Sequence, residues 1–381
     1  MATIKSFDLL AIDLPFKKPF KHAAAARTSS SSIFLRCTSD SGVSGYGECL
    51  PRPYVTGETR DSVFELLEST ILPKLIGREF DSLADVVQFL GDCNGKAPSD
   101  WLDPTQPQTA AWCAVDLALL DCFGRVFGDP VWLDDNRSFP DSISYSVVGS
   151  SDAGLKTLIL MRLFAIGQIK IKVEKDHPAR SAKRVRRILG SGWDIRADAN
   201  MAWNVDEALV HMKELAEIDI RSFEQPVAAD DIDGLARLVR ESDLGVMVDE
   251  SLHDHESLER VIEKKACTAV NVRISKCGGL VAAYNRCLRA LEAGLVVQVG
   301  CQVGESSLLS AAHLKLLTAV RDVTYAEGCF GRLLLREDPA APVLQFGFRG
   351  KNPAVPTEPG LGVTIDEATL QRWAAKSVTI E

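Results

Sequence analysis

GQIKIKVEKD, residues 167–176, decides how this chain is read. Ile169, Ile171 and Val173 alternate with Lys170 and Lys172, the period of a strand, so both ammonium groups project from one face. Two cations held side by side repel each other unless something anionic faces them. The run therefore predicts a strand whose polar face looks onto an anion.

Seven further runs of the same character surround it. ISYSVV (143–148) precedes it; WDIRAD (193–198), RSFEQP (221–226), VMVDES (246–251), AVNVRISK (269–276), VVQVGC (296–301) and VTYAEG (323–328) follow. Their centres recur about every 25 residues, and helical periodicity fills most of the gaps. VDEALVHMKELAEI (205–218), ESLERVIEKK (256–265) and VAAYNRCLRALEAG (281–294) are examples. Eight such units predict an α/β fold, a (β/α)₈ barrel over residues 141–340, its last helix being LLLREDP or a distorted piece of it. An open doubly wound sheet shares the beat, but it usually has fewer strands and a Gly-rich phosphate loop, and no such signature is present.

Residues 1–140 read as an α+β capping domain. IKSFDLLAIDLPF and SSIFLRCTSDSGVSGYGECL suggest an antiparallel meander turning at Asp40-Ser41-Gly42. Helices are expected at SVFELLESTILPKLIG and QTAAWCAVDLALLDCFGRVFG. Residues 341–381 are expected to pack back on the capping domain.

Composition limits the function classes. A net charge of −9 argues against non-specific nucleic-acid binding and a polybasic membrane surface. There is no 18-residue apolar run, and the first residues lack a signal-peptide pattern. The ten cysteines stand singly, none in a C-x-x-C pair, so reduced thiols and a cytoplasmic location are expected.

Barrel chemistry sits at the carboxyl ends of the strands. Those ends carry Lys170 and Lys172, then Asp198 and Asn200, Glu224, Asp249 and Glu250, and Lys276. Three acids on three consecutive strands suit a hard cation, Mg²⁺ or Mn²⁺ in its place. Strands two and six lie opposite in an eight-membered ring, so Lys172 and Lys276 are expected to face each other across the mouth. A lysine flanked by a cation and a second lysine holds its proton less tightly, as a general base near neutral pH requires. A carboxylate substrate at the cation has its α-C–H acidified, because the dianion formed is stabilised by metal and ammonium. Lys172 is placed for proton transfer and Lys170 for countering charge.

Lys170-Ile171-Lys172, Asp198, Glu224, Asp249 and Lys276-Cys277-Gly278-Gly279 together resemble the enolase superfamily, specifically its muconate-lactonizing-enzyme subgroup. The resemblance covers essentially the whole chain. It implies Mg²⁺ on Asp198, Glu224 and Asp249, with Lys172 and Lys276 as acid/base groups on the two faces of an enolate. PFKHAAAARTS (19–29) and RPYVTGET (52–59) look like the capping loops of dipeptide epimerases, which makes Phe20, His22, Tyr54 and Thr56 candidates for substrate contact. That family usually carries Asp-x-Asp at the end of strand eight; here the residues are Ala326-Glu327-Gly328. YAEGCFGRLLLREDP is similar instead to the cycloisomerase branch, with Arg332 in place of a proline. Glu305 and Glu327 join the substrate candidates, although Glu305 also fits a capping acid for a helix beginning at Ser306.

The reaction expected is proton abstraction α to a carboxylate, leading to racemisation or epimerisation of an amino-acid derivative or dipeptide. The alternative is a muconate-type cycloisomerisation, or a syn-dehydration of the o-succinylbenzoate synthase kind. A barrel kept only for binding would be expected to have lost a ligand or a lysine, and none is missing. The expected partner is a small carboxylate, with no nucleic acid and no membrane, and a homo-oligomer is the expected assembly.

Overall fold

A computed structural model of the chain describes residues 1–22, 25–134, 143–150, 154–164 and 166–381. Two sheets organise it. The first is antiparallel: β1 (Ala2–His22), β2 (Ala25–Ser39) and β3 (Ser44–Cys49) lie in order, and β4 (Glu79–Phe80) pairs with the start of β1. The C-terminal strand Ala374–Ile380 pairs with β1 from Phe7 to Ile12 and covers that edge. Gly42 turns β2 into β3 with φ 83°, the left-handed conformation that Asp-Ser-Gly signals in sequence.

Four short helices, α1 (Pro53–Thr56), α2 (Arg60–Leu66), α3 (Leu72–Leu75) and α4 (Leu83–Cys93), lead to α5 (Thr109–Phe127). A π turn over Leu67–Ile71 joins α2 to α3 just before Pro73, which has no N–H to donate. Helix α5 presses on β3 so closely that a Cβ at Gly45 would lie 2.0 Å from the Cys122 nitrogen. At Gly47 it would lie 2.0 Å from the Ala114 carbonyl oxygen.

The second sheet has eight parallel strands: β5 (Val147–Ser150), β6 (Gln168–Lys172), β7 (Asp194–Asp198), β8 (Ser222–Glu224), β9 (Gly245–Val248), β10 (Ala269–Arg273), β11 (Val296–Gly300) and β12 (Val323–Ala326). A parallel bridge between Tyr145 and Ala326 joins its two ends, with the Ser146 amide donating to the Ala326 carbonyl at 2.8 Å. The sheet thus curls into a barrel. Helices α6 (Leu155–Phe164), α7 (Pro178–Leu189), α8 (Val205–Ala216), α9 (Ile232–Glu241), α10 (His255–Glu263), α11 (Leu280–Glu292) and α12 (Ser307–Ala319) separate successive strands. Directly after β12 comes a single turn, α13 (Gly331–Leu334), in the place of the eighth helix. Among the described residues no helix is long and apolar enough to cross a membrane.

Buried carboxyl groups fasten the first unit to the barrel. Asp116 of α5 accepts from the Leu280 amide at 2.7 Å, at the start of α11. Glu48 of β3 accepts from the Ser306 amide at 3.2 Å and its hydroxyl at 2.5 Å, at the start of α12. The glycine pair after Lys276 belongs to the first of these joints. Gly279 has φ 113°, and a Cβ there would come within 2.3 Å of the Asp116 carboxyl carbon.

Candidate active site

Strand register brings the polar residues together. Lys172 pairs across the ladder with Asp198, and Asp198 with Glu224, so three adjacent strands end at one level. Asp249 follows immediately after β9, and Lys276 sits three residues beyond β10. The apolar alternates, Ile169, Ile171, Ile195 and Phe223, are buried in the core. That anchoring forces the polar alternates to the other face.

The charged groups form one connected network. The Lys170 ammonium lies 3.0 Å from Glu224 Oε1, 2.9 Å from Glu327 Oε2 and 3.9 Å from Asp198 Oδ2. Lys172 donates to Asn200 Oδ1 at 2.6 Å and to Asp198 Oδ2 at 3.4 Å. Lys276 donates to Asp249 Oδ1 at 2.8 Å and to the Asp249 and Asn271 carbonyls at 2.6 and 2.8 Å. Arg273 bonds to Asp249 and lies 3.5 Å from Glu224 Oε1. Arg196 holds Glu327 at 3.2 Å and also bonds to Gln298.

Burial pushes the Asp249 carboxyl up, but Arg273 and Lys276 outweigh it and hold this group well below the usual carboxylate range. Glu224 is likewise opposed by burial and held below its ordinary value by Lys170 and Arg273. For Asp198 burial wins over Lys172, and its carboxyl is raised. Burial lowers the Lys170 ammonium, yet Glu224, Glu327 and Asp198 together hold it above the ordinary lysine value. Lys170 is therefore suited to holding charge rather than taking a proton. Glu250, next to Asp249, is pushed up to about 8 by burial and by its neighbour's charge.

The donor set at the strand ends is three buried carboxylates, which suits a hard divalent cation. Among the described residues, however, no three acidic, histidine or cysteine side chains gather as a finished metal shell. Their charge is met instead by Lys170, Lys276 and Arg273, the last spanning Glu224 and Asp249. The residues fit the ion by chemistry; the shell requires Arg273 to yield its contacts.

A cavity of about 240 Å³ opens beside this network. Of the expected site residues, Lys170, Lys172, Asp198, Tyr54 and Glu327 line it, while Glu224, Asp249 and Lys276 do not reach its surface. Of the two lysines expected to face each other across the mouth, Lys172 lines the cavity, whereas Lys276 is wholly buried with its ammonium donating to Asp249. Thr56 is buried on α1, its hydroxyl donating to the Arg52 carbonyl at 3.4 Å. Glu305 closes its own turn by accepting from the Gln302 amide at 2.6 Å, and Ser306, not Glu305, caps α12. Phe20 and His22 lie on β1, but their side chains are outside the described residues.

Two arginines of the network carry no role in the sequence reading. Arg196 alternates with Ile195 and Ala197, and Arg273 with Val270 and Val272, the same pattern that singled out Lys170 and Lys172. That alternation was the available signal.

Residues 8–133 match the family model described as "Mandelate racemase / muconate lactonizing enzyme, N-terminal domain". Residues 159–369 match "Enolase C-terminal domain-like". The N-succinyl-L-Arg/Lys racemase of Bacillus cereus is 29% identical over 374 residues, 97% of each chain. Its crystal structure superposes with a TM-score of 0.88, at 27% identity and 100% coverage of both chains. Muconate cycloisomerase 1 of Rhodococcus opacus is 27% identical over 383 residues, covering 97% of this chain and 98% of that one. A dipeptide epimerase from Cytophaga hutchinsonii, complexed with Mg and the dipeptide D-Ala-L-Val, shares the fold: TM-score 0.85, 23% identity, 100% coverage of both chains.

Proposed function

The chain belongs to the mandelate racemase/muconate lactonizing enzyme family of the enolase superfamily, and from that premise we propose that it is a Mg²⁺-dependent racemase or epimerase of an amino-acid derivative. One observation carries the reading: Lys172, Asp198 and Glu224 end three adjacent strands in register, with the Asp249–Lys276 pair beside them. Lysines from opposite sides of a barrel can remove a proton from one face of a carbon and return it to the other.

Asp198, Glu224 and Asp249 would hold the ion, whose charge would favour the dianionic enolate over the bound carboxylate. The remaining work falls to the chain's own groups. Lys172 reaches the cavity and, as the free amine, takes the α-proton on its side and becomes the ammonium, its nitrogen held in place by the 2.6 Å hydrogen bond to Asn200. Lys276 serves the other face, for which it must turn from Asp249 toward the cavity. Lys170 keeps its charge and holds Glu224 and Glu327 in place. Tyr54, brought from α1, covers part of the cavity and helps exclude water.

A cycloisomerase reading draws on Gly331-Arg332-Leu333 after β12 and on the Rhodococcus relative. The test is a screen of N-acyl amino acids, dipeptides and muconates in D₂O with Mg²⁺. Deuterium entering at the α-carbon with loss of optical purity supports racemisation. Lactone formed from muconate, with no exchange in amino-acid derivatives, would replace it with cycloisomerisation.

A further inference from the structure

The cavity has two unlike walls. One is ionic, built by Lys170 and Lys172 of β6, Asp198 and Asn200 at the end of β7, Glu250 after β9 and Arg273 of β10. The other is apolar and comes from elements on either side of the barrel seam: Val147 and Val148 of β5, Met161 of α6, Phe330 and Leu333 after β12, and Phe346. This second wall is packed rather than incidental. The Phe330 and Phe346 rings meet edge to face at 5.6 Å, and Phe346 stacks on buried Tyr145 at 5.7 Å.

The acid nearest this wall in sequence is Glu327. Its oxygens are engaged by Lys170 at 2.9 Å and Arg196 at 3.2 Å, so it has little to offer a ligand's ammonium. Arg332, in the middle of the apolar stretch, is exposed and does not line the cavity. A charged group laid on the apolar wall would lose water and gain no partner among the described residues that form it.

Resting on the isomerase reading, we propose that the substrate carries one carboxylate at the ionic wall and an uncharged, apolar arm lodged against Val148, Met161, Phe330, Leu333 and Phe346. The arm separates this chain's substrate from an N-succinyl derivative of a basic amino acid and from a dipeptide with a free ammonium. Each methylene added to the arm raises kcat/KM roughly fourfold while the wall has room, by the usual value of a buried methylene.

Two crossed series test this with the Mg²⁺-loaded enzyme, following α-proton exchange in D₂O by NMR. In the first, the acyl chain on alanine runs from acetyl to pentanoyl, with succinyl as the charged counterpart of pentanoyl. In the second, N-acetyl norleucine is set against N-acetyl lysine. The expected result is that, in at least one series, the longer apolar member exceeds the charged one about 100-fold in kcat/KM. Leu333 is 52% exposed, so Leu333→Lys is tolerated by the fold; it should narrow that ratio at least tenfold. Charged members equal to or better than apolar ones in both series would overturn the proposal. So would a ratio unchanged in Leu333→Lys. Arg27, 5.7 Å from the Tyr54 ring, names the rival: succinyl preference abolished by Arg27→Ala would assign the arm to that guanidinium. Exchange in no derivative of either series would instead overturn the isomerase reading, and the proposal with it.

Discussion

Replacing Glu48 by glutamine should make the protein more stable at neutral pH. Glu48 is wholly buried where β3 meets the start of α12, and its carboxyl accepts from the Ser306 amide and hydroxyl. Burial raises it from an ordinary 4.5 to about 8; the Ser306 hydrogen bonds pull the other way and Glu305 adds to the rise. In that window the folded protein keeps a proton that the unfolded chain releases. Stability from this group is therefore fully present below about 4.5 and is lost as pH rises toward 8. At about 1.4 kcal/mol per pH unit, the loss between pH 5 and pH 7.5 is roughly 3 kcal/mol. Glutamine keeps the shape and one acceptor and has no proton to lose. Urea unfolding of both proteins at a series of pH values is the assay. Near pH 5 the two should match, and by pH 7.5 Glu48→Gln should be ahead by roughly 2–3 kcal/mol. A variant weaker by the same amount at every pH would mean that the carboxylate is ionised in the fold and serves the α12 terminus as an anion.

Other consequences follow from the same contacts. Gly279→Ala drives a Cβ to 2.3 Å from Asp116 at φ 113°, and should cost about 3 kcal/mol or more in thermal unfolding; an unchanged melt would refute the joint at α11. Glu327→Gln leaves Lys170 and Arg196 short of a buried partner and should destabilise by about 3 kcal/mol, with Lys170→Met in the same chain restoring part of it. Additive losses in that double-variant cycle would show the pair to be uncoupled. EDTA should abolish turnover and Mg²⁺ or Mn²⁺ restore it, and Glu224→Gln should weaken Mg²⁺ binding at least tenfold by calorimetry. Full activity in metal-stripped protein would remove the ion from the account.

The barrel was legible because its signal repeats. Each strand advertises a period of two between helical stretches, and the unit recurs eight times. The polar alternates of β6 and β7 were legible for the same reason. Alternation reports which face a side chain takes, not which partner it chooses there. Nothing in VNVRISK says that Arg273 spans Glu224 and Asp249, or that the Lys276 ammonium turns to Asp249 rather than the cavity. Those choices depend on distances across three strands. Glu305 shows the same limit on a smaller scale, since its own turn brings the Gln302 amide to 2.6 Å from its carboxylate. The apolar wall is not legible in the sequence because its members are scattered from Val147 to Phe346 and meet only where the barrel closes.

Whether Lys172 and Lys276 serve opposite faces of one carbon is decided by α-proton exchange of each enantiomer with Lys172→Ala and Lys276→Ala, each checked for folding by circular dichroism. Two opposed bases give mirror-image losses, each variant failing on one enantiomer by about 100-fold or more while keeping some exchange from the other. If Lys276→Ala is folded and exchanges both enantiomers at the wild-type rate, Lys276 is only the structural partner of Asp249, and the two-base mechanism is wrong.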